Sequence, residues 1–75
     1  MNHNMNSLKW GIIGCGRIAQ RFVQGIREVA GASLVSVWSR RAESVDTFVE
    51  QYGGTACVSV DELLLSDIDA VYVAT

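Results

Sequence analysis

The sequence predicts one α/β unit built on a parallel sheet, with the element order β-α-β-α-β-α-β. Short apolar runs rich in Val and Ile alternate with segments whose apolar residues recur every three or four positions. The runs are almost continuously apolar, as in parallel strands that are covered on both faces. A chain of 75 residues can bury one small core and is too short for two domains.

The boundaries of each strand and helix are placed where its apolar pattern starts and stops. We predict strands at 8–13, 34–38, 55–58 and 70–75, and helices at 17–30, from after Ser39 to Tyr52, and at 60–65. Gly31 and the pair Gly53-Gly54 end the first two helices, and Ser59 with Glu62 forms a capping box for the third. The first helix is expected to bury one stripe of side chains, namely Ile18, Phe22, Val23, Ile26 and Ala30.

Right-handed crossovers would place the strands in the order 3-2-1-4, with the first two helices on one face and the third on the other. The third helix is too short to cover its face, and the fourth strand would leave an open edge. We therefore expect the N-terminal half of a doubly wound (Rossmann) sheet, truncated from a longer protein. Residues 1–7 are expected to be a disordered leader, and residues 8–75 a partial domain.

Composition argues against several other classes of protein. The net charge of −2 is spread along the chain and gives no footprint for nucleic acid or an anionic membrane. No apolar run suits a membrane span, and no signal peptide is visible. Cys15 and Cys57 fit neither a redox pair nor a zinc site, so we expect reduced thiols in a cytoplasmic protein and no metal. His3 lies in the leader, where we expect no catalytic role.

A glycine-rich turn follows the first strand and opens the first helix. Gly14, Gly16 and Ala19 form the G-x-G-x-x-A version of the dinucleotide fingerprint. Gly14 permits a tight turn, Gly16 lets a pyrophosphate approach the backbone, and Ala19 allows close packing of helix on strand. The amides at the helix start would then face the phosphates. A glycine turn without any ligand is the alternative interpretation.

The end of the second strand bears on which nicotinamide cofactor fits. An acidic side chain there would bind the ribose 2′-hydroxyl of NAD, whereas this chain has Ser39, Arg40 and Arg41. A hydroxyl and guanidinium groups suit the 2′-phosphate of NADP. The sequence thus predicts NADP, with NAD less favoured. Alternatively, both arginines are simply solvated at a helix start.

Segments 9–19, 37–41, 61–64 and 69–75 together resemble the N-terminal part of the Gfo/Idh/MocA oxidoreductases, the family of glucose–fructose oxidoreductase, inositol dehydrogenase and dihydrodiol dehydrogenase. The resemblance implies an NAD(P)-dependent redox reaction on a sugar, polyol or related small molecule. It also implies a further C-terminal substrate domain, absent from this chain, and a homo-oligomer. The cofactor-binding positions that it implies are Gly14, Gly16, Arg17, Ile18, Ser39, Arg40, Ala74 and Thr75.

The same resemblance places the catalytic lysine of a Glu-Lys-Pro motif, and an aspartate and histidine, beyond Thr75. Lys9 precedes the first strand and is not that lysine, so no catalytic residue is assigned in this chain. A non-catalytic NAD(P)-binding or sensing module is therefore the alternative function. A methyltransferase is disfavoured because Ile13 and Ser39 stand where that class usually carries acidic residues.

Overall fold

The computed structural model describes residues 8–74, which form four strands and three helices in the predicted order. The strands are β1 (Leu8–Ile13), β2 (Ala32–Trp38), β3 (Thr55–Ala56) and β4 (Ala70–Val73), and the helices are α1 (Arg17–Ile26), α2 (Ala42–Tyr52) and α3 (Val60–Leu64). The predicted leader, with His3, and Thr75 lie outside the described residues.

The strands form one parallel sheet in the order β3-β2-β1-β4, which confirms the predicted topology. Ile12, near the end of the central strand β1, lies opposite Val37 of β2 and Tyr72 of β4. Because these strands run in the same direction, their carboxyl ends meet at one edge of the sheet.

The two faces of the sheet carry different helices, as expected. On one face, β1, β2, α1 and α2 bury a common core: Ile12, Val37, Ala19, Val23, Val45 and Phe48. On the other, a Cβ placed on Gly11 would come within 3.1 Å of Leu63 and 2.9 Å of Ile68. Side chains alternate between the faces of a strand, so α3 packs opposite α1 and α2, and Gly11 makes room for it.

Helix α1 is shorter than predicted, and a tighter turn follows it. It ends at Ile26 instead of residue 30, because the next amides bond three residues back, Glu28 to Gly25 and Val29 to Ile26. This tighter turn ends the helix before the chain reaches Gly31, which adopts a positive φ of 86°. Gly31 therefore belongs to the turn into β2 and does not cap the helix.

Two residues of the predicted apolar stripe on α1 are not buried. Ile18 is 58% exposed because it lies on the outer side of the first turn, and Ala30 is exposed because it lies beyond the helix. The other three residues of the stripe face the interior. Val23 and Ile26 are buried, while Phe22 is half-buried and stacks on Tyr72 with 4.0 Å between ring centroids. The stripe therefore covers ten residues of helix and not fourteen.

The third strand is also shorter than predicted, ending at Ala56 instead of residue 58. The Val58 N–H donates to the Glu62 carboxylate at 2.6 Å, so it serves the start of α3 and not the sheet. The predicted capping box is present, since the Glu62 N–H donates to Ser59 Oγ at 3.0 Å. Within residues 8–74, no helix has the length and apolar character needed to cross a bilayer.

Candidate functional site

The site predicted at the carboxyl edge of the sheet is assembled by backbone hydrogen bonds between loops. The Gly14 N–H donates to the Trp38 carbonyl at 2.7 Å, and the Ala74 N–H donates to the Ile13 carbonyl at 2.8 Å. These bonds continue the ladder past the strand ends and hold the residues after β1, β2 and β4 side by side. The fold therefore brings together segments separated by up to 60 positions in sequence.

A cleft of about 400 Å³ opens between these three segments. It is lined by Ile13, Gly14, Cys15, Trp38, Ser39, Arg40, Arg41 and Ala74. Five of the predicted site residues are thus brought together, from the glycine turn, the end of β2 and the end of β4. Gly16, Arg17 and Ile18 do not line the cleft; they lie exposed at the start of α1, beside it. Thr75, also predicted, lies outside the described residues.

Gly14 is required by the packing of β4 as well as by the turn. Its φ is +116°, a conformation that L side chains rarely adopt. A Cβ on Gly14 would lie 2.9 Å from the Ala74 carbonyl carbon, which is too close for any side chain. The sequence indicated the turn but not this second constraint.

Gly16 differs from Gly14 because nothing in the fold requires a glycine there. Its backbone is extended, with φ −82° and ψ −165°, and a Cβ would meet no atom within 4 Å. The space beside Gly16 is open. A ligand can therefore approach the backbone at this point, which is the property that the fingerprint predicts.

The first backbone amides of α1 receive no hydrogen bond acceptor from a capping side chain. Gly16, the N-cap residue, offers no side-chain acceptor, and the first turn contains no acidic residue. Helix α3 shows the opposite arrangement, with the Ser59 hydroxyl as acceptor and Asp61 and Glu62 in its first turn. The positive end of the α1 dipole is therefore not neutralised by its own residues.

The rim of the cleft is cationic. Arg40 and Arg41 are exposed and line it together with the half-buried Ser39. None of the eight lining residues carries a carboxylate. Guanidinium groups and a hydroxyl can bind a phosphate, and the lining has no acidic group that would repel the phosphate.

Sequence reasoning missed three lining residues, Ile13, Cys15 and Trp38. Burial raises the pKa of the Cys15 thiol. Cys15 stands between the two loop glycines and Trp38 directly precedes Ser39, so their positions beside predicted site residues were the available signal. No group of three metal-ligating side chains occurs between residues 8 and 74.

Comparison with known families agrees with this geometry. Residues 8–75 match the Gfo/Idh/MocA family, an oxidoreductase family with an NAD-binding Rossmann fold. The chain belongs to this family. Both the resemblance inferred from the sequence and the predicted fold class are thereby confirmed.

Individual Gfo/Idh/MocA proteins and other oxidoreductases are similar over most of the chain. The 1,5-anhydro-D-fructose reductase of Ensifer adhaerens is 39% identical over 69 residues, which cover 89% of this chain and 21% of that protein. The structure of KijD10, a 3-ketoreductase from Actinomadura kijaniata in complex with NADP, is 31% identical with a TM-score of 0.81 and covers 91% of this chain and 22% of that one.

The WlbA dehydrogenase from Bordetella pertussis, in complex with NADH and UDP-GlcNAcA, is 25% identical with a TM-score of 0.84. That alignment covers 92% of this chain and 22% of the dehydrogenase. The chain thus spans about a fifth of the length of these similar proteins.

Proposed function

We propose that the chain binds NADP in the cleft at the carboxyl edge of the sheet, in preference to NAD. It does so as the nucleotide-binding part of an oxidoreductase that acts on a sugar, polyol or related substrate. The observation that carries this proposal is the rim of Ser39, Arg40 and Arg41, with no carboxylate among the side chains that line the cleft.

The pyrophosphate of the dinucleotide fits the start of α1. The open space at Gly16 admits it, and the uncapped amides of the first turn, at Arg17 and Ile18, point their positive dipole toward it. Gly14 shapes the turn and also lines the cleft, where it would border the cofactor. Ala74 and Thr75 are proposed to border the cofactor after β4.

The 2′-phosphate of NADP fits the cationic rim of the cleft, at Ser39, Arg40 and Arg41. Its oxygens accept hydrogen bonds, and the Ser39 hydroxyl and the two guanidinium groups are donors. Family membership leaves this choice open, because the WlbA dehydrogenase was solved with NADH and KijD10 with NADP. The local residues favour NADP, since an NAD site would be expected to place a carboxylate near Ser39.

The reaction class is inferred from the similar proteins. The nicotinamide, when bound, supplies the hydride chemistry, and the described residues of this chain bind and orient the adenine-nucleotide half. The reductase of Ensifer adhaerens acts on 1,5-anhydro-D-fructose by its name, and the WlbA dehydrogenase was solved with UDP-GlcNAcA. A carbohydrate or carbohydrate derivative is therefore the proposed substrate class.

Calorimetric titration with NADP and NAD tests the cofactor preference. We expect the double change Ser39→Asp and Arg40→Gln to weaken NADP binding by about 1.5–3 kcal/mol, the scale of hydrogen bonds to charged groups, and to spare NAD. Arg21→Gln, an exposed arginine on α1 outside the cleft, is the matched control and should change neither. Equal affinity of the unchanged protein for both cofactors would contradict the proposed preference.

The pyrophosphate position has its own test in Gly16→Val. The substitution adds methyl groups at a position where a Cβ meets no atom within 4 Å, so helical content by circular dichroism should persist while binding of both cofactors fails. Normal affinity in this variant would show that the dinucleotide does not pass over Gly16.

A further inference from the structure

A second cavity adjoins the cleft on the other side of the end of β2. The Cys57 N–H donates to the Val37 carbonyl at 2.8 Å, so the segment after β3 lies beside the end of β2. The cavity has a volume of about 260 Å³ and is closed on its far side by α2. Trp38, Ser39 and Arg40 line both this cavity and the cleft. Arg40 therefore stands in the wall that the two spaces share.

Asp46, on α2, is the acidic residue of the second cavity. Apart from Ser39, Arg40 and Asp46, the lining is apolar or aromatic: Trp38, Ala42, Val45, Ala56, Cys57 and Val58. Arg40 and Asp46 are thus the two charged residues of the cavity, and their charges are opposite. Both are exposed. In the part of the chain that the structure describes, the one ion pair joins Lys9 to Asp67, so the Arg40 guanidinium is free to turn to either side of the wall.

The Arg40 guanidinium can serve a carboxylate or a phosphate, but not both at once. Its planar fork matches either anion in the same bidentate geometry. On the cleft side the proposed partner is the 2′-phosphate of NADP, and in the second cavity the partner is the Asp46 carboxylate. NAD carries a hydroxyl at the 2′ position and offers Arg40 no anion there. Two anions therefore compete for this one cation only when the cofactor is NADP.

We propose that Asp46 is a positioning residue that tunes the cofactor preference, because its carboxylate competes with the 2′-phosphate for the Arg40 guanidinium. The inference rests on the proposed NADP site. Asp46 weakens NADP binding, since Arg40 must leave the carboxylate to reach the phosphate. It does not affect NAD binding, in which no such exchange occurs. Asp46 thereby limits the preference for NADP that the cationic rim of the cleft creates.

The first experiment is calorimetric titration of Asp46 variants with NADP and NAD. Asp46→Asn should tighten NADP binding about two- to fivefold, the range of an exposed ion pair, and leave NAD affinity unchanged. Asp46→Glu keeps the charge and should bind NADP as the unchanged protein does. Glu50→Gln removes a charge from an exposed residue of α2 that lines neither space, and should change neither affinity. An NADP affinity that Asp46→Asn leaves unchanged would overturn the inference.

A double-mutant cycle then shows whether Asp46 acts through Arg40. In an Arg40→Gln background the gain from Asp46→Asn should vanish, because the cation for which the two anions compete is gone. An equal gain in both backgrounds would mean that the Asp46 charge repels the phosphate directly, which overturns the inference.

The second experiment needs no cofactor to detect the competing pair. Nitrogen-15 NMR follows the exchange of the Arg40 Nε–H with water, and this signal is assigned by its loss in Arg40→Gln. Pairing with a carboxylate protects the guanidinium, so exchange should be faster in Asp46→Asn and unchanged in Glu50→Gln. Saturating NADP should abolish the difference between Asp46→Asn and the unchanged protein, because the phosphate then holds Arg40. Equal exchange in both proteins without cofactor would overturn the inference.

The two experiments also separate this inference from the function on which it rests. Failure of the unchanged protein to bind NADP would overturn the proposed function and the inference together. Intact NADP binding, with exchange of the Arg40 Nε–H that is insensitive to Asp46, would overturn the inference alone.

Discussion

Gly14 lies against the carbonyl of Ala74, so closely that a Cβ would stand 2.9 Å from the carbonyl carbon. This contact ties the glycine turn after β1 to the end of β4. The same turn is bonded to the end of β2 through the Trp38 carbonyl. One residue without a side chain therefore fixes the position of all three segments that line the cleft.

The two glycines of the turn should consequently respond differently to the same substitution. Gly14→Ala combines an unfavourable positive φ with a clash against backbone, and we expect it to lower the free energy of unfolding by at least about 2 kcal/mol. Gly16→Ala has open space and an ordinary backbone conformation, so it should cost only about 0.5–1 kcal/mol, because alanine is a poorer N-cap residue than glycine. Urea unfolding of both variants checks this. Equal stability of the two would show that β4 can move away from the turn.

Leu63 should be the main attachment of α3 to the sheet. Its side chain is fully buried and packs over Gly11, whereas Leu65 is 86% exposed. We expect Leu63→Ala to cost about 2–5 kcal/mol of stability, because it opens a cavity against the sheet. Leu65→Ala removes the same atoms from solvent-exposed surface and should change stability by less than about 0.5 kcal/mol. Thermal unfolding of the two variants provides the comparison, and similar losses would contradict the assigned packing.

The strand order and the glycine turn could be predicted because local sequence carries them. Apolar runs such as Leu8–Ile13, followed by two glycines and a helical period, are typical of one supersecondary unit, and handedness then limits the order of strands. The cationic rim was also readable, since Ser39, Arg40 and Arg41 directly follow a predicted strand. These features depend on neighbours within a few residues.

The features that were missed depend on contacts between distant segments. Ile18 has the period of a buried residue, yet its place in the first turn of α1 leaves its side chain exposed. The end of α1 at Ile26 is set by the return of the chain to β2, whose first residue pairs with Leu8. The placement of Cys15 and Ser39 along one cleft likewise appears only when the ends of β1 and β2 are adjacent.

Lys9 and Asp67 form an ion pair with 2.7 Å between Nζ and Oδ2. The hydrogen bond to Asp67, followed by its negative charge, raises the pKa of Lys9 above its ordinary value of 10.5. A raised pKa in the folded state means that the pair stabilises the protein fully below pH 10.5, and that this contribution is lost as pH rises through the raised value. Because both groups are exposed, the contribution is small and weakened by salt.

Asp67→Asn should therefore lower the melting temperature slightly at neutral pH, and the difference from the unchanged protein should shrink above the pKa of Lys9. Raising the salt concentration to ~1 M should reduce the difference in the same way. Glu50→Gln, an exposed carboxylate on α2, serves as the control and should show no such convergence. A difference that persists unchanged at high pH would mean that Asp67 acts through some contact other than Lys9.

Ser36 is a polar residue in the sheet with only 1% of its surface exposed. Its hydroxyl donates to Ser66 Oγ at 2.7 Å, and the Ser66 hydroxyl donates in turn to the Leu63 carbonyl at 2.5 Å. This chain of hydrogen bonds joins β2 to the turn after α3. It satisfies a buried donor on the face that α3 covers.

The direction of these bonds predicts unequal effects of removing the two hydroxyls. Ser66→Ala leaves the buried Ser36 hydroxyl without a partner and should cost about 1–3 kcal/mol. Ser36→Ala should cost less, because Ser66 keeps its bond to the Leu63 carbonyl. In the Ser36→Ala background, Ser66→Ala leaves no hydroxyl stranded, so its cost should fall. Urea unfolding of the parent, both single variants and the double variant measures this coupling; strictly additive losses would mean that water already satisfies Ser36.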